Sequence, residues 1–295
     1  MDLRTIRYYL TVAEEMNITR AAEKLNMAQP PLSHQMRQLE EELGVTLFER
    51  GRRHITLTAE GELLRQRGQQ ILELVHKTET EIHTMKNGIS GMLYISTVEG
   101  RAPYLMAEWI CGFREEYPHI QYNLWNGSTD DVIDRMTKGL SDLAMVLAPY
   151  DSERMEAIEV AALPWAAMIP GDHPLAAQPD QPLDLRELVG EPLIVPARKS
   201  RVQEIYSWFR EIGEEPTVVC EMSNFLDAYA MAEKGVGISI FPHTNDNKDP
   251  KVVCRDIANP THIAHYMLGW RADREPSQLA QLFMDYVRDM QQSGL

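Results

Sequence analysis

Residues 17–61, NITRAAEKLNMAQPPLSHQMRQLEEELGVTLFERGRRHITLTAEG, decide the fold of the N-terminal part of the chain. Thr19 can cap a short helix, and Pro30 suits the first turn of the next helix, where no N–H donor is needed. That helix then carries an apolar stripe at helical spacing, formed by Leu32, Met36, Leu39 and Leu43, and it ends at Gly44. Similar spacing in residues 3–13 predicts an earlier helix. The sequence therefore predicts three short helices around one small core.

The third of these helices presents polar groups outside its apolar stripe. With the stripe buried, Ser33, His34 and Arg37 fall on another face beside Gln29. Their hydroxyl, imidazole, guanidinium and amide groups suit DNA phosphates and base edges. Residues 45–57 then predict two short strands around a basic turn, which together form a wing. This order of elements fits one helix in the major groove with the wing on the backbone or minor groove, although a plain helical bundle with a solvated turn is the alternative.

The stretch 17–61 resembles the N-terminal signature of LysR-type transcriptional regulators. The resemblance is nearly gapless, and it implies that residues 1–58 form a winged helix-turn-helix domain that binds double-stranded DNA. His34 stands where the family often has arginine. Because the charge of histidine is smaller and depends on pH near neutrality, contact with a base and contact with a phosphate both stay open there. With His34, the residues expected to face DNA are Gln29, Pro30, Ser33, Arg37, Arg52 and Arg53.

The charge of the chain is unevenly distributed. The 295 residues carry a formal net charge of −15, yet residues 1–58 contain eight basic and eight acidic side chains. All of the excess negative charge therefore lies in the remainder. This asymmetry predicts a small module that can approach a polyanion, joined to an acidic body that DNA would repel.

A long helix is predicted from Thr58 to about residue 87, because this stretch has no proline and an approximate heptad seam. About 30 helical residues would span about 45 Å, which is too long for the small bundle to cover. Residues 59–89 are therefore expected to form a linker helix that pairs with a second copy in a homodimer. The alternative is a helix packed lengthwise on its own body. The seam consists of Leu64, Ile71, Leu74, Thr78, Ile82 and Met85.

Short apolar strands alternate with amphipathic helices over residues 90–295, which predicts an α/β fold. The segments GLSDLAMV, GDHPLA and GVGISIFP resemble markers of the effector domain of the same family, more loosely than the N-terminal match. The resemblance implies two lobes like those of periplasmic binding proteins, residues 90–161 with 267–295 and residues 162–266. A small molecule is expected between them, at the ends of strands. The expected effector-binding residues are Val98, Glu99, Gly100, Arg101, Ser128, Thr129, Pro196, Ala197, Arg198, Ser223 and Phe225.

The charge of the expected ligand can be argued from Arg198, Lys199 and Arg201, three cations within four residues of an acidic domain. A cation near a helix N-terminus opposes the helix dipole, so such a cluster is favourable when an anion lies beside it. Arg101 could contribute to the same site. We therefore expect an anionic, carboxylate-bearing metabolite. The alternative is a solvated loop or subunit contact in which Arg101 pairs with Glu99.

Other classes of protein find little support in the sequence. No GxSxG, HExxH or P-loop motif is present, and we expect neither catalysis nor a cofactor. The three cysteines are far apart and show no zinc-ligand spacing, and His262 and His265 are expected on opposite faces of a strand. No apolar run is long enough for a membrane span.

The sequence thus predicts a cytoplasmic, bacterial transcriptional regulator whose sequence-specific DNA binding responds to a small molecule. Tetramers are the usual form in the family, and contact with RNA polymerase is a further expectation. A non-inducible DNA-binding regulator with an empty or purely structural cleft is the alternative.

Overall fold

The computed structural model describes residues 1–50, 55–84, 90–244 and 250–292, and the chain divides into two compact units, Met1–Gly88 and Ile89–Leu295. No helix within these described ranges is long and apolar enough to cross a membrane. The elements of the first unit are α1 (Leu3–Glu15), α2 (Ile18–Lys24), α3 (Gln29–Leu43), β1 (Phe48–Arg50), β2 (Ile55–Leu57) and α4 (Ala59–Thr84).

The three short helices of the first unit share one core, as the sequence predicts. The side chains of Tyr9, Val12, Leu32, Met36 and Leu39 are buried together. Strands β1 and β2 pair antiparallel beside them. The order of helices followed by a two-stranded wing is that of a winged helix-turn-helix domain.

The capping of α2 differs from the expectation. Asn17, not Thr19, is the N-cap, and its Oδ1 accepts hydrogen bonds from the backbone N–H groups of Thr19 and Arg20 at 2.9 and 3.1 Å. An N-cap residue precedes the helix and has an extended backbone, as Asn17 has. Thr19 cannot be the cap because it already lies in the first turn of the helix.

Helix α4 is fixed to the small core by its first turns. The Tyr9 hydroxyl donates a 2.6 Å hydrogen bond to the Gly61 carbonyl, and Gly61 and Gly68 allow close approach to neighbouring groups of the first unit. Farther along, Leu74 and Ile82 are exposed on a helix that the sequence predicts as the linker.

The second unit is built on a single ten-stranded sheet with helices packed on it. Its helices and strands are β3 (Gly91–Thr97), α5 (Ala102–Glu116), β4 (Ile120–Asn126), α6 (Thr129–Thr137), β5 (Leu143–Leu147), β6 (Met155–Pro170), β7 (Leu183–Asp184), β8 (Pro192–Pro196), α7 (Lys199–Glu211), β9 (Thr217–Met222), α8 (Phe225–Glu233), β10 (Ile238–Pro242), β11 (Val252–Ala258), β12 (Ile263–Arg271) and α9 (Gln278–Gln292).

The sheet has a parallel part at each end. Strand β3 pairs in parallel with β4 and β5, and with α5, α6 and α9 these strands form the first lobe. Strand β8 pairs in parallel with β9 and β10, and with β7, β11, α7 and α8 these form the second lobe. The long strand β6 pairs with β12 in the first lobe and with β10 and β11 in the second lobe, and so joins them, while β12 connects β6 to β5. Parallel strand ends with their following helices therefore face the junction between the lobes.

Candidate functional site

The exposed face of α3 carries most of the residues expected to read DNA. The side chains of Gln29, Pro30, His34 and Arg37 are all exposed. The Arg37 Nε donates to the carbonyl of Ser33 one turn earlier, at 3.4 Å. The guanidinium thus stays on the helix surface, where its other N–H groups are available to an acceptor.

Ser33 is not on this exposed face. Ser33 is only 6% exposed. It lies three residues before the buried Met36 and therefore on the same, buried side of the helix. The expectation that the Ser33 hydroxyl lies beside His34 and Arg37 in solvent is wrong on this point. The two predicted wing residues, Arg52 and Arg53, lie outside the described residues.

A cavity of about 390 Å³ lies between the two lobes of the second unit. Its volume falls in the range of small-molecule sites in proteins. The structure places ten of the eleven predicted effector residues on its wall, and Arg101 is the one that does not line it. The ten are Val98, Glu99, Gly100, Ser128, Thr129, Pro196, Ala197, Arg198, Ser223 and Phe225.

Three helices begin at this cavity, and each begins differently. Ser128 caps α6 in a capping box with Asp131, whose N–H donates to the Ser128 Oγ at 3.2 Å. Asn224 caps α8 through two backbone amides. Arg198 precedes α7 and makes no side-chain cap, so the first amides of α7 are not covered by a cap side chain. Such uncapped amides favour an anion.

Two of the three cations of the predicted cluster, Arg198 and Arg201, already have acceptors in the protein, whereas Lys199 is exposed and has no ion pair among the described residues. The Arg198 Nη2 lies 2.9 Å from the Asp130 carboxylate, and Arg201 pairs with Glu204 at 2.5 Å and also donates to the Ala148 carbonyl. In the cavity wall, Arg198 and Arg201 are therefore paired with acidic side chains. Their positive charge is partly neutralised, so they attract an anionic ligand less than the sequence predicts.

Arg101 and Glu99 do not pair with each other, which corrects the alternative considered for them. The Arg101 Nη1 donates to the Thr244 carbonyl at 3.2 Å, which turns its side chain away from the cavity. The Glu99 Oε2 instead accepts a 2.7 Å hydrogen bond from the backbone N–H of Phe225.

Several apolar and aromatic residues that line the cavity were not predicted from the sequence. Trp165 is only 1% exposed, and its Nε1 has no hydrogen-bond acceptor among the described residues. Tyr266 is fully buried with its hydroxyl beside the backbone of Arg101, and burial raises the pKa of that phenol. Strands β6 and β12 supply these two residues, and only the long-range pairing of those strands brings them to the cavity. The other apolar lining residues that sequence reasoning missed are Leu147, Met222, Phe241 and Pro242, and the acidic residues Asp130 and Asp131 were missed as well.

Two histidines considered from the sequence, His262 and His265, make contacts within the protein. Within the described ranges, no group of three His, Cys, Asp or Glu side chains could hold a metal ion. His262 stacks on Trp208 with ring centroids 4.3 Å apart, and burial lowers the pKa of its imidazole. His265 lies 3.0 Å from the Glu159 carboxylate. These histidine contacts are consistent with a structural role.

Comparison with protein families assigns both units. Residues 3–62 match the model of the bacterial regulatory helix-turn-helix protein, lysR family, and residues 86–292 match the LysR substrate binding domain. The chain belongs to the LysR family. The resemblance read from residues 17–61 and the fold class predicted from the sequence are thereby confirmed. LysR proteins are transcriptional regulators that bind DNA through the helix-turn-helix domain, so this chain is a DNA-binding transcriptional regulator with an effector-binding domain.

Curated LysR relatives cover this chain almost from end to end. The HTH-type transcriptional regulator BsdA of Bacillus subtilis is 30% identical over 300 residues, which is 97% of this chain and 99% of BsdA. The Hca operon transcriptional activator HcaR of Escherichia coli is 28% identical over 275 residues, 92% of each chain. Among solved LysR structures, full-length CbnR in complex with its target DNA has a TM-score of 0.82 at 23% identity, and the match covers 98% of this chain and 99% of CbnR. That likeness shows the fold.

Proposed function

We propose that this LysR regulator binds double-stranded DNA through α3 and its wing, and that a small effector held between the two lobes changes that binding. The observation that carries the proposal is the cavity of about 390 Å³, which lies where the ends of parallel strands and three helix N-termini meet. The catalytic classes considered from the sequence give no comparable arrangement among the described residues.

On the DNA side, Gln29, Pro30, His34 and Arg37 are the exposed groups that support a reading face on α3. Amide and guanidinium groups on one face can make paired hydrogen bonds to adenine and guanine edges in the major groove. Ser33 lies on the buried side of the same helix and is not part of this face. Arg52 and Arg53, which the sequence predicts in the wing, are proposed to bind DNA as well.

The proposed effector is a small, largely apolar molecule that carries an acidic group. Aromatic and aliphatic side chains such as Trp165, Phe225 and Phe241 form most of the cavity wall and support the apolar part. The start of α7, with Arg198 and Arg201 beside it, supports the acidic part. Trp165 lines the cavity and its buried Nε1–H has no acceptor among the described residues, which is costly, so we propose that this group donates to an acceptor on the bound ligand.

A non-inducible regulator is the second candidate, and one observation favours it. Asp130 with Arg198, and Glu99 with Phe225, already link the lobes through hydrogen bonds within the protein. A domain held closed in this way could serve as a rigid scaffold. The volume of the cavity and the unpaired Trp165 donor instead support the effector-responsive regulator that we propose first.

The proposed assembly is a homodimer formed through α4, extended to a homotetramer as is usual in the family. Leu63, Leu74 and Ile82 are exposed apolar residues on this helix, and their burial against a second copy would remove them from water. Dimers place two reading helices on two half-sites of DNA. We further propose that the protein acts in the bacterial cytoplasm and that its DNA-bound form contacts RNA polymerase.

The proposed mechanism is a shift between two arrangements of the lobes. A ligand that binds one arrangement more tightly increases the population of that arrangement. If the spacing of the two DNA-binding domains differs between arrangements, ligand and DNA binding become coupled, typically by about 1–3 kcal/mol.

Footprinting on the DNA beside the gene for this protein tests the proposal. With increasing salt, we expect protection of paired half-sites that weakens steeply, because phosphate contacts release counterions. With pooled small carboxylates, we expect one pool to lengthen, shorten or shift the protected region. Protection that no pool changes would favour the non-inducible alternative, and no protection even at low salt would contradict DNA binding.

Replacing Trp165 with phenylalanine is expected to weaken binding of the active carboxylate about tenfold, since the ring stays but its N–H donor is lost. DNA affinity without ligand should stay unchanged. Calorimetric titration of the compound found by footprinting measures the effect. Trp109→Phe is the matched control, because Trp109 is buried in α5 and does not line the cavity. Equal ligand affinity in both variants would show that the Trp165 donor is not used.

A further inference from the structure

Glu99 fills a position at the start of α8 that would otherwise be open to an anion. Its Oε2 accepts a 2.7 Å hydrogen bond from the backbone N–H of Phe225, the first residue of the helix. The next two amides, of Leu226 and Asp227, donate to the Asn224 Oδ1 at 2.8 and 3.2 Å. The first turn of α8 is therefore closed by two side chains, of which only Asn224 is local.

The hydrogen bond of Glu99 connects the two lobes. Glu99 follows β3 of the first lobe, whereas α8 packs on strands of the second lobe, and the two bonded residues are 126 positions apart in the chain. Arg198 of the second lobe makes a parallel link to Asp130 of the first lobe at 2.9 Å. Groups of the protein itself thus hold the lobes together across the cavity.

The position of Glu99 has the electrostatics of an acid-binding site. A carboxylate at a helix N-terminus is stabilised by the helix dipole and by a charge-assisted hydrogen bond. The acidic group of a ligand would gain the same two interactions at Phe225 N–H. Since like charges that share one site disfavour each other, Glu99 and a ligand carboxylate cannot occupy the start of α8 together.

A second residue of the same cavity wall, Trp165, has a polar group that the described part of the protein leaves unpaired. Trp165 is 1% exposed and lines the cavity with Glu99, and its Nε1–H has no acceptor within the described part of the chain. A residue of the cavity wall therefore carries a buried donor without an acceptor in the described ranges, while the anion position at α8 is already taken.

We propose that Glu99 is an internal anion that takes the place of an acidic ligand group at α8 and ties the lobes together. A carboxylate ligand must displace Glu99 to reach α8, and this displacement breaks the tie between the lobes. The inference rests on the proposed function of the cavity, because it describes how the same site is regulated. It also predicts that α8 will accept a foreign carboxylate once the Glu99 side chain is removed.

Hydrogen exchange of the full-length protein, followed by mass spectrometry, tests the proposal without any knowledge of the effector. In Glu99→Ala, amides at the start of α8 should exchange about tenfold faster than in the wild type, because the Phe225 N–H loses its charged acceptor. Acetate at high millimolar concentration should restore protection by occupying the vacated position. Acetamide at the same concentration and ionic strength should not.

Two further variants make the result specific. Glu99→Gln keeps an oxygen that can accept from Phe225 but removes the charge, so its exchange should fall between those of wild type and Glu99→Ala. Asp180→Ala removes an exposed carboxylate of the second lobe and should leave α8 unchanged. Wild-type exchange in both Glu99 variants, or rescue by acetamide as good as rescue by acetate, would overturn the proposal. Either result would leave the footprinting test of the proposed function unaffected.

Discussion

Gly61→Ala is expected to destabilise the DNA-binding unit by about 2–3 kcal/mol, the cost of overpacking a tight contact. An added Cβ would lie 2.2 Å from the Leu47 carbonyl oxygen and 3.2 Å from the Tyr9 hydroxyl. Because the first obstacle is backbone, α4 would have to move away, and the hydrogen bond from Tyr9 to the Gly61 carbonyl would be strained or lost. The gain in helix propensity, about 1 kcal/mol, offsets only part of this cost.

The two units can be followed separately in one experiment. All five tryptophans lie in the second unit, so tryptophan fluorescence reports on that unit, and circular dichroism reports on both. We expect the melting temperature of the first unit to fall by about 10–20 °C, with DNA affinity reduced in parallel and fluorescence unfolding unchanged.

Gly68→Ala is the matched control for Gly61. It lies in the same helix, but an added Cβ would meet the side chains of Ile6 and Leu10 at 3.1 and 3.5 Å, which can shift slightly. Its melting temperature should therefore stay near that of the wild type. Equal destabilisation by the two substitutions would show that the close approach of Gly61 to Leu47 is not what fixes α4.

Arg37→Ala is expected to reduce specific DNA affinity roughly a hundredfold or more. Loss of a paired hydrogen bond to a base costs about 1–3 kcal/mol, and the proposed dimer carries two copies of each contact. Arg37 is exposed on α3, and its Nε donates a hydrogen bond to the Ser33 carbonyl within the helix. Fluorescence anisotropy with operator DNA and with unrelated DNA measures both affinities.

The comparison between the two DNAs separates the kinds of contact. A base contact predicts a larger loss on operator DNA, whereas a phosphate contact predicts a similar loss on both DNAs and a smaller salt dependence. Arg67→Ala is the control, because it removes the same charge from the linker helix α4. Equal losses in the Arg37 and Arg67 variants would contradict a reading role for α3.

The parts of the fold that could be predicted depend on signals that are close together in the sequence. The apolar stripe of α3, its end at Gly44 and the short strands of the wing all arise within a few residues of one another. The cavity position was also predictable, because parallel strands deliver their following loops to the same edge. Ser128 and Phe225, which follow such strands, were for that reason correctly predicted to line the cavity.

The parts that were missed depend on pairing between distant residues. Trp165 lies on β6 and Tyr266 on β12, strands whose register across the lobes no local pattern indicates. Arg198 and Arg201 also have acceptors far away in the chain, Asp130 and the Ala148 carbonyl, although Glu204, the other partner of Arg201, is only three residues away. Because those acceptors could not be foreseen, the cation cluster was expected to have more charge available for a ligand than the structure leaves.

The long strands that join the lobes also determine the order in which this protein can be completed during synthesis. Strand β5 pairs with β3 on one side, but its other neighbour, β12, is made only after the whole second lobe. On the ribosome, the DNA-binding unit and the second lobe can fold while the first lobe still has an open strand edge. A chain truncated before β12 would therefore keep its DNA-binding unit but could not complete the first lobe of its effector-binding domain.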